Sequence, residues 1–306
     1  MKDVVTLLVH VALFTTAPPL MLGVINKTKA WFAGRRGPPL LQLYYDLARL
    51  FRKEMVFSRT TTWVFRAGPV VATSAALLAG SLMPFGAFDA PIQFTGDLVL
   101  FAYLMALGRF FTTAAALDTG SAFEGMGAAR EVSFACLAEA ALFMSFVVLV
   151  RFSGSLSLTP MLHAPITAPL HGLAGAAIFL VAVALFVVLL AENARIPVDD
   201  PSTHLELTMI HEVMVLDHSG PLFGLILYGA ALKLFLLSAL LLHLVLPVGL
   251  DAPLLDWLLF LAGIGAIGVG IGVVESIMAR LRLRYVPSLL IASAILCVFA
   301  FFLTLA

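Results

Sequence analysis

The sequence predicts an all-α, polytopic membrane protein with about eight transmembrane helices and two long cytoplasmic loops. Three observations predict it. First, 61% of the 306 residues are hydrophobic and 12% are charged, with a mean hydropathy of +1.06, whereas soluble proteins carry roughly 25% charged residues. Second, eight apolar runs approach the roughly 20 residues that a helix needs to cross a bilayer. The runs are continuous rather than alternating, which suits helices and not barrel strands. Third, Lys and Arg gather in alternate connections, the asymmetry that sets orientation. Residues 1–306 read as a single membrane domain.

The first run, Val4–Ile25, contains Pro18 and Pro19 and has no small-residue cleavage signal after it. It reads as a retained helix and not a signal peptide. The first cytoplasmic loop, 26–66, carries nine Lys and Arg residues and opens on a basic turn, Gly34 to Pro39. Within it, Leu40 to Glu54 is amphipathic: Leu40, Leu43, Tyr44, Leu47, Leu50 and Phe51 share one face, and Gln42, Asp46, Arg49 and Lys53 the other. Such a helix lies on the membrane surface or docks on a partner, and the pattern alone leaves both open.

The remaining spans are Ala67–Phe85, Leu98–Leu117, Val132–Val150, Gly172–Ala191, Pro221–Leu246, Leu254–Val274 and Val286–Leu305. Gly263, Gly265, Gly268, Gly270 and Gly272 in the seventh suggest a face for close helix packing. The third loop holds Arg130, the fifth Arg195, and the seventh Arg280, Arg282 and Arg284. The second and sixth hold no Lys or Arg, and the fourth only Arg151. Odd-numbered loops are therefore expected in the cytoplasm and both termini outside.

Charge is concentrated in the acidic cytoplasmic loop, 192–220. Glu192, Asp199, Asp200, Glu206, Glu212 and Asp217 stand there with His204, His211 and His218. Arg109, Glu139 and Lys233 fall inside predicted spans, and Glu275 lies near the cytoplasmic end of the seventh. Ionisable residues at such depth mark ion pathways. Glu139 lies eight residues beyond Glu131, about 12 Å along a helix. Carboxyl groups in apolar surroundings exchange protons nearer neutral pH than in water, so Glu139 and Glu192, with Lys233 in a neighbouring span, are candidates for a proton pathway. The competing reading is a set of static ion pairs, for example Glu139 with Lys233.

Several classes are excluded. A net charge of zero implies no nucleic-acid partner. Cys136 and Cys297 form no CxxC pair, and an iron–sulfur cluster needs several thiolates. His204, His211 and His218 recur every seven residues. The three are therefore expected to share one helix face, too far apart for one metal. They read either as interfacial histidines or as a pH-responsive set.

Two signatures give a family resemblance. Arg36-Gly37-Pro38, Gln42, Asp46 and Lys53-Glu54 form the first. Ala191-Glu192, Arg195-Ile196-Pro197-Val198-Asp199 and Glu206-Leu207 form the second. Both resemble membrane subunit 1 of respiratory complex I. Gly96-Asp97-Leu98, Arg109-Phe110-Phe111, Leu117 to Ser121, Gly127 to Glu131 and Met278 to Leu283 resemble more closely the membrane subunits of the formate hydrogenlyase type of group 4 [NiFe] hydrogenase. Val198 replaces the family's Phe, and Ser202 and His204 replace acidic positions.

The resemblance implies a complex I subunit 1-like fold in a prokaryotic inner membrane. It implies a heel subunit without a redox centre, which anchors a soluble redox arm and couples its chemistry to proton or ion movement. Soluble hydrogenase-like and iron–sulfur subunits would carry the clusters, and a nickel–iron site where nickel ligands are kept. Antiporter-like membrane subunits would be further partners beside the lipid bilayer, with quinone left open. By position Glu139, Glu192, Asp199, Glu206 and Glu212 would begin a polar axis for protons that runs into those antiporter-like subunits, and Arg36, Gln42, Asp46, Arg49, Lys53 and Glu54 would contact a partner. The rival readings are a stand-alone secondary transporter, for which no internal repeat is evident, and a passive membrane anchor.

Overall fold

The computed structural model describes residues 2–167, 172–199, 209–246 and 253–305. Among them are α1 (Lys2–Phe32), α2 (Gln42–Leu50), α3 (Trp63–Leu82), α4 (Asp97–Asp118), α5 (Ala122–Ser153), α6 (Leu158–Thr167), α7 (Leu173–Glu192), α8 (Gly220–Val245), α9 (Pro253–Ile277) and α10 (Val286–Leu303). Among the described residues, eight helices are long and apolar enough to cross a membrane, in the order expected. The chain is a multi-pass membrane protein.

Helix α8 occupies the centre. It packs on α1, α3, α7 and α9, and on the short α2 and α6, and its residues from Ala231 to Leu244 are all buried except Lys233. A cluster of rings from Phe14, Phe85, Phe235 and Phe260 joins four segments at one end of the bundle. Small residues let the helices approach. A Cβ on Gly80 would stand 2.1 Å from the Phe14 ring, and one on Gly68 would stand 2.7 Å from Ala115. The glycine series of α9 divides. Gly263 meets Leu242 and Gly272 meets Thr28, whereas Gly265 and Gly270 face open space. The expected packing face is thus narrower than five glycines.

The bounds differ from expectation where polar residues extend a helix beyond its apolar run. Helix α5 begins ten residues before the expected Val132, taking in Glu124, Arg130 and Glu131. Its 32 residues reach about 48 Å, well beyond a hydrocarbon core of about 30 Å. Arg151 belongs to its last turn and not to a loop. Helix α6 has no counterpart among the expected spans. Its ten residues are too few to cross, so a span search passes over it. Buried Asp97 holds its start, accepting from Ser157 Oγ and from the Leu158 amide, each at 2.7 Å.

Helix α2 is shorter than the expected 40–54 and lies against α1 and α8. Leu47 is buried, Leu43, Tyr44 and Leu50 are half-buried, and Leu40 and Phe51 stay exposed. The Tyr44 hydroxyl donates to the Thr16 carbonyl. Nearby, Pro19 lacks the N–H that would otherwise bond Thr15, as any proline does at that position. The freed Thr15 carbonyl accepts from Tyr228 Oη at 2.9 Å. The prolines of α1 thus become a docking point for α8.

All odd-numbered connections meet at one end. Val56 N donates to Ser219 Oγ at 3.1 Å, Arg130 Nη1 to the Met209 carbonyl at 2.8 Å, and Leu281 N to the Pro197 carbonyl at 2.9 Å. That end carries the basic residues, so it is predicted to face the cytoplasm. A cysteine placed at Ser58 should be labelled by an impermeant reagent from the cytoplasmic side. Labelling from the outer side alone would contradict the orientation.

Candidate functional site

Five ionisable side chains from four helices converge inside the bundle. Helix α4 supplies Arg109, α5 supplies Glu131 and Glu139, the last residue of α7 is Glu192, and α8 supplies Lys233. The spacing on α5 places its two carboxylates about two turns apart, and Arg109 lies between them. Its planar fork can serve several acceptors at once. Nη1 bonds Glu139, Nη2 donates to Glu192 Oε2 at 2.7 Å, and Nε is 3.9 Å from Glu131 Oε1. Lys233 Nζ reaches the same Glu192 oxygen at 2.7 Å. The pairing expected between Glu139 and Lys233 is therefore corrected: each has a different partner, because Glu192 lies nearer the lysine.

Three carboxylates face two cations. A buried excess charge is costly, so a further positive charge nearby would offset the surplus. His211 Nδ1 lies 4.0 Å from Glu131 Oε2 and is the nearest candidate. Glu192 is the most enclosed member, with 4% of its side chain exposed, and Glu139 the most open, at 35%.

Two cavities meet at His211. The inner one, about 70 Å³, touches Arg109, Glu131, Thr112 and Lys233. It has room for a few waters at roughly 10–15 Å³ each. The outer one, about 360 Å³, is lined by Arg195, Asp199 and Glu212 together with apolar side chains that include Leu22, Leu43 and Phe223. Both are bounded by His211, Ile226 and Ala230.

Asp199 does not touch the five-residue cluster. Its Oδ2 accepts from the amides of Ile210 at 3.0 Å and His211 at 3.2 Å, and its Oδ1 pairs with Arg280 at 2.9 Å. It fixes the segment that presents His211. Glu212 lines the outer cavity. Glu206, with Asp200, Ser202 and His204, lies outside the described residues.

His211 and His218 do not share a helix. His211 precedes a four-residue 3-10 turn, Glu212–Val215, and His218 follows in the connection to α8. His218 stacks on Phe65 with ring centroids 4.0 Å apart, and burial pushes its imidazole below the ordinary 6.5. Glu275 is buried and pairs with Lys29 at 2.8 Å and with Arg195 at 3.4 Å.

The sequence places Arg109 inside a span without revealing it as the hub, since pairing across helices is not encoded locally. Glu124 is a further residue that the sequence reading does not single out. It is buried and accepts from the Asp217 amide at 3.1 Å. A signal for it is present: Glu124 precedes Glu131 by seven residues, the same helix face.

On α2, Gln42 Nε2 donates to both Asp46 oxygens at 3.1 Å, and Arg49 pairs with Asp46 at 2.6 Å while remaining 67% exposed. Lys53 and Glu54 are exposed beyond the helix end. Arg36 lies apart from this face, beside the end of α1. Among the described residues, no group of three His, Cys, Asp or Glu side chains is placed to hold a metal.

Comparison with known proteins gives one consistent neighbourhood. The NADH dehydrogenase family profile matches residues 4–306. Formate hydrogenlyase subunit 4 of Escherichia coli K12 is 30% identical over 281 residues, 90% of each chain. Hydrogenase-4 component C of the same organism is 33% identical over 76% of this chain and 71% of its own length. A subunit of the NADH-quinone oxidoreductase of Syntrophotalea carbinolica is 32% identical over 66% of this chain and 62% of its own. In fold, a chain of the membrane-bound sulfane sulfur reductase, an archaeal respiratory membrane complex, superposes with a TM-score of 0.84 at 20% identity, covering 99% of this chain and 100% of that one.

Proposed function

This chain belongs to the NADH dehydrogenase family, and we propose on that premise that it couples a soluble redox arm to proton movement through the membrane. It is a membrane subunit of the hydrogenase and complex I type of assembly, with eight apolar helices and relatives named as parts of such complexes. The observation that carries the coupling is the guanidinium of Arg109, shared by three carboxylates beside a cavity with room for a few waters. An anionic surplus in low dielectric is sensitive to any charge that approaches it.

In this reading, redox chemistry at the cytoplasmic surface displaces the 26–66 and 192–220 loops. Asp199 transmits the displacement to His211. A protonated His211 drawn toward Glu131 supplies the missing positive charge, and the cluster gives up a carboxyl proton. Glu139, the most open member, passes it to a neighbouring membrane subunit, while Glu192 and Lys233 reset the charge. Glu212 and Glu206 belong to the entry side. Soluble iron–sulfur and hydrogenase-like subunits would hold the redox centres, and antiporter-like subunits would receive the proton.

Gln42, Asp46, Arg49, Lys53 and Glu54 form the face offered to the soluble arm. Exchanging Asp46→Arg with Arg49→Asp keeps the pair within α2 and inverts what the partner meets. The soluble arm should dissociate while the membrane part stays folded. An intact complex on native gels would leave α2 as a lipid-surface helix.

The outer cavity suits a quinone as a second reading, because its lining combines apolar side chains with a few polar ones. A photoreactive quinone should then label Leu43 or Phe223. Labelling restricted to lipid-facing residues would discount it.

A further inference from the structure

A second feature lies on the other side of α1, away from the charge cluster. Where α1 ends, a groove of about 530 Å³ runs between α1 and α9 at the basic end of the bundle. Its floor is apolar, formed by Val24 of α1 and Val269 and Val273 of α9. Its upper rim is cationic, formed by Lys27, Arg35 and Arg36. Trp31, 77% exposed, and Phe32, 45% exposed, stand beside the rim.

The rim is built rather than frayed. Gly34 and Gly37 take φ values of +64° and +63°, which reverse the chain after α1. A Cβ on Gly37 would stand 2.3 Å from Ala30, so the turn lies directly on the helix. Lys27 Nζ donates to the Arg36 carbonyl at 2.8 Å and ties the turn down. Two close approaches set the floor: Gly272 against Thr28, and Gly268 against Val24.

The charges of the rim are not neutralised by any carboxylate among the described residues. Lys29, on another face of the same helix, pairs with Glu275 at 2.8 Å. Lys27, Arg35 and Arg36 pair with no carboxylate among the described residues. Three cations over an apolar channel, at the depth where a Trp marks the interface, match a ligand with an anionic head and an acyl tail. Basic pockets between helices on the cytoplasmic side bind such headgroups, and aromatic rings settle at that level.

We propose that this groove is a binding site for an anionic glycerophospholipid, with the phosphate held by Lys27, Arg35 and Arg36 and an acyl chain lying along Val24, Val269 and Val273. The site commits Arg36 to lipid rather than to the soluble arm, and it does not depend on the proton pathway.

Trp31 can report the occupant directly. The full chain, with Trp63→Phe and Trp257→Phe, would be reconstituted in bilayers of brominated phosphatidylglycerol or brominated phosphatidylcholine. Trp31 fluorescence should be quenched by phosphatidylglycerol in preference by roughly tenfold or more, since each basic side chain contributes a factor of about five. The preference should vanish in K27Q/R35Q/R36Q and persist in K27R/R35K/R36K, which keeps the charge. It should also persist in R52Q/R59Q, which removes two charges of the same loop outside the groove. Equal quenching by the two lipids, or a preference unchanged in the triple Gln variant, would overturn the proposal. So would an equal loss in R52Q/R59Q, which would assign the effect to overall loop charge. Exclusion of both lipids from Trp31 in the assembled complex would give the groove to a partner subunit instead.

Discussion

Replacing Arg109 with leucine should prevent the folded subunit from accumulating. Its side chain is 10% exposed and meets Glu131, Glu139 and Glu192. Without it, three carboxylates face only Lys233, and α4, α5 and α7 lose their shared polar contact. Removing one partner of a buried ion pair costs roughly 3–5 kcal/mol. Folded domains hold only about 5–15 kcal/mol in total, and here several pairs depend on one group. Arg109→Lys should be milder. It restores the charge, but a point ammonium cannot reproduce a planar fork with several fixed donors, so assembly should survive with impaired coupling. Quantifying assembled complex on native gels, beside total subunit by immunoblot, separates these outcomes. Normal assembly of Arg109→Leu would mean that the carboxylates carry protons or meet water, and that the arginine is dispensable.

The spans and their order were legible because hydropathy is a local property and each run matches the thickness of a bilayer. Helix ends were less so: the first turns of α5 carry Glu124, Arg130 and Glu131, which a window of apolar residues rejects although helix geometry tolerates them. Short α6 escaped for the opposite reason, being apolar but brief. The charged residues of the site were visible one at a time as polar groups in apolar surroundings. Their pairing was not, because Arg109 and Glu192 are 83 positions apart and no spacing rule links α4 to α7. The seven-residue spacing of His211 and His218 gives no shared face, because that requires a continuous helix and the chain offers only a 3-10 turn between them.

The second large effect concerns coupling. Glu139→Gln and Glu192→Gln keep the side-chain size and an acceptor oxygen while removing the exchangeable proton. The two positions differ in surroundings. Glu192 serves both Arg109 and Lys233, so its amide takes the carboxylate partner from Lys233 and should reduce assembly in part. Glu139 meets Arg109 and is the most open of the three carboxylates, so its amide should leave assembly nearly intact. Proton transfer by a positioned group is worth about 10²–10⁴-fold. Translocation through the cluster should therefore fall on the order of a hundredfold in Glu139→Gln.

Redox-driven proton movement in inverted vesicles, normalised to assembled complex, is the direct measurement, with wild type and Glu139→Gln compared in the same membranes. If Glu139 carries the proton, the variant assembles fully and still binds the soluble arm, while proton movement is lost. Normal proton movement in Glu139→Gln would contradict that role and reduce the carboxylate to one member of a static ion-pair cluster. Loss of assembly together with loss of movement would contradict it equally, since the residue would then hold the helices together rather than carry a proton.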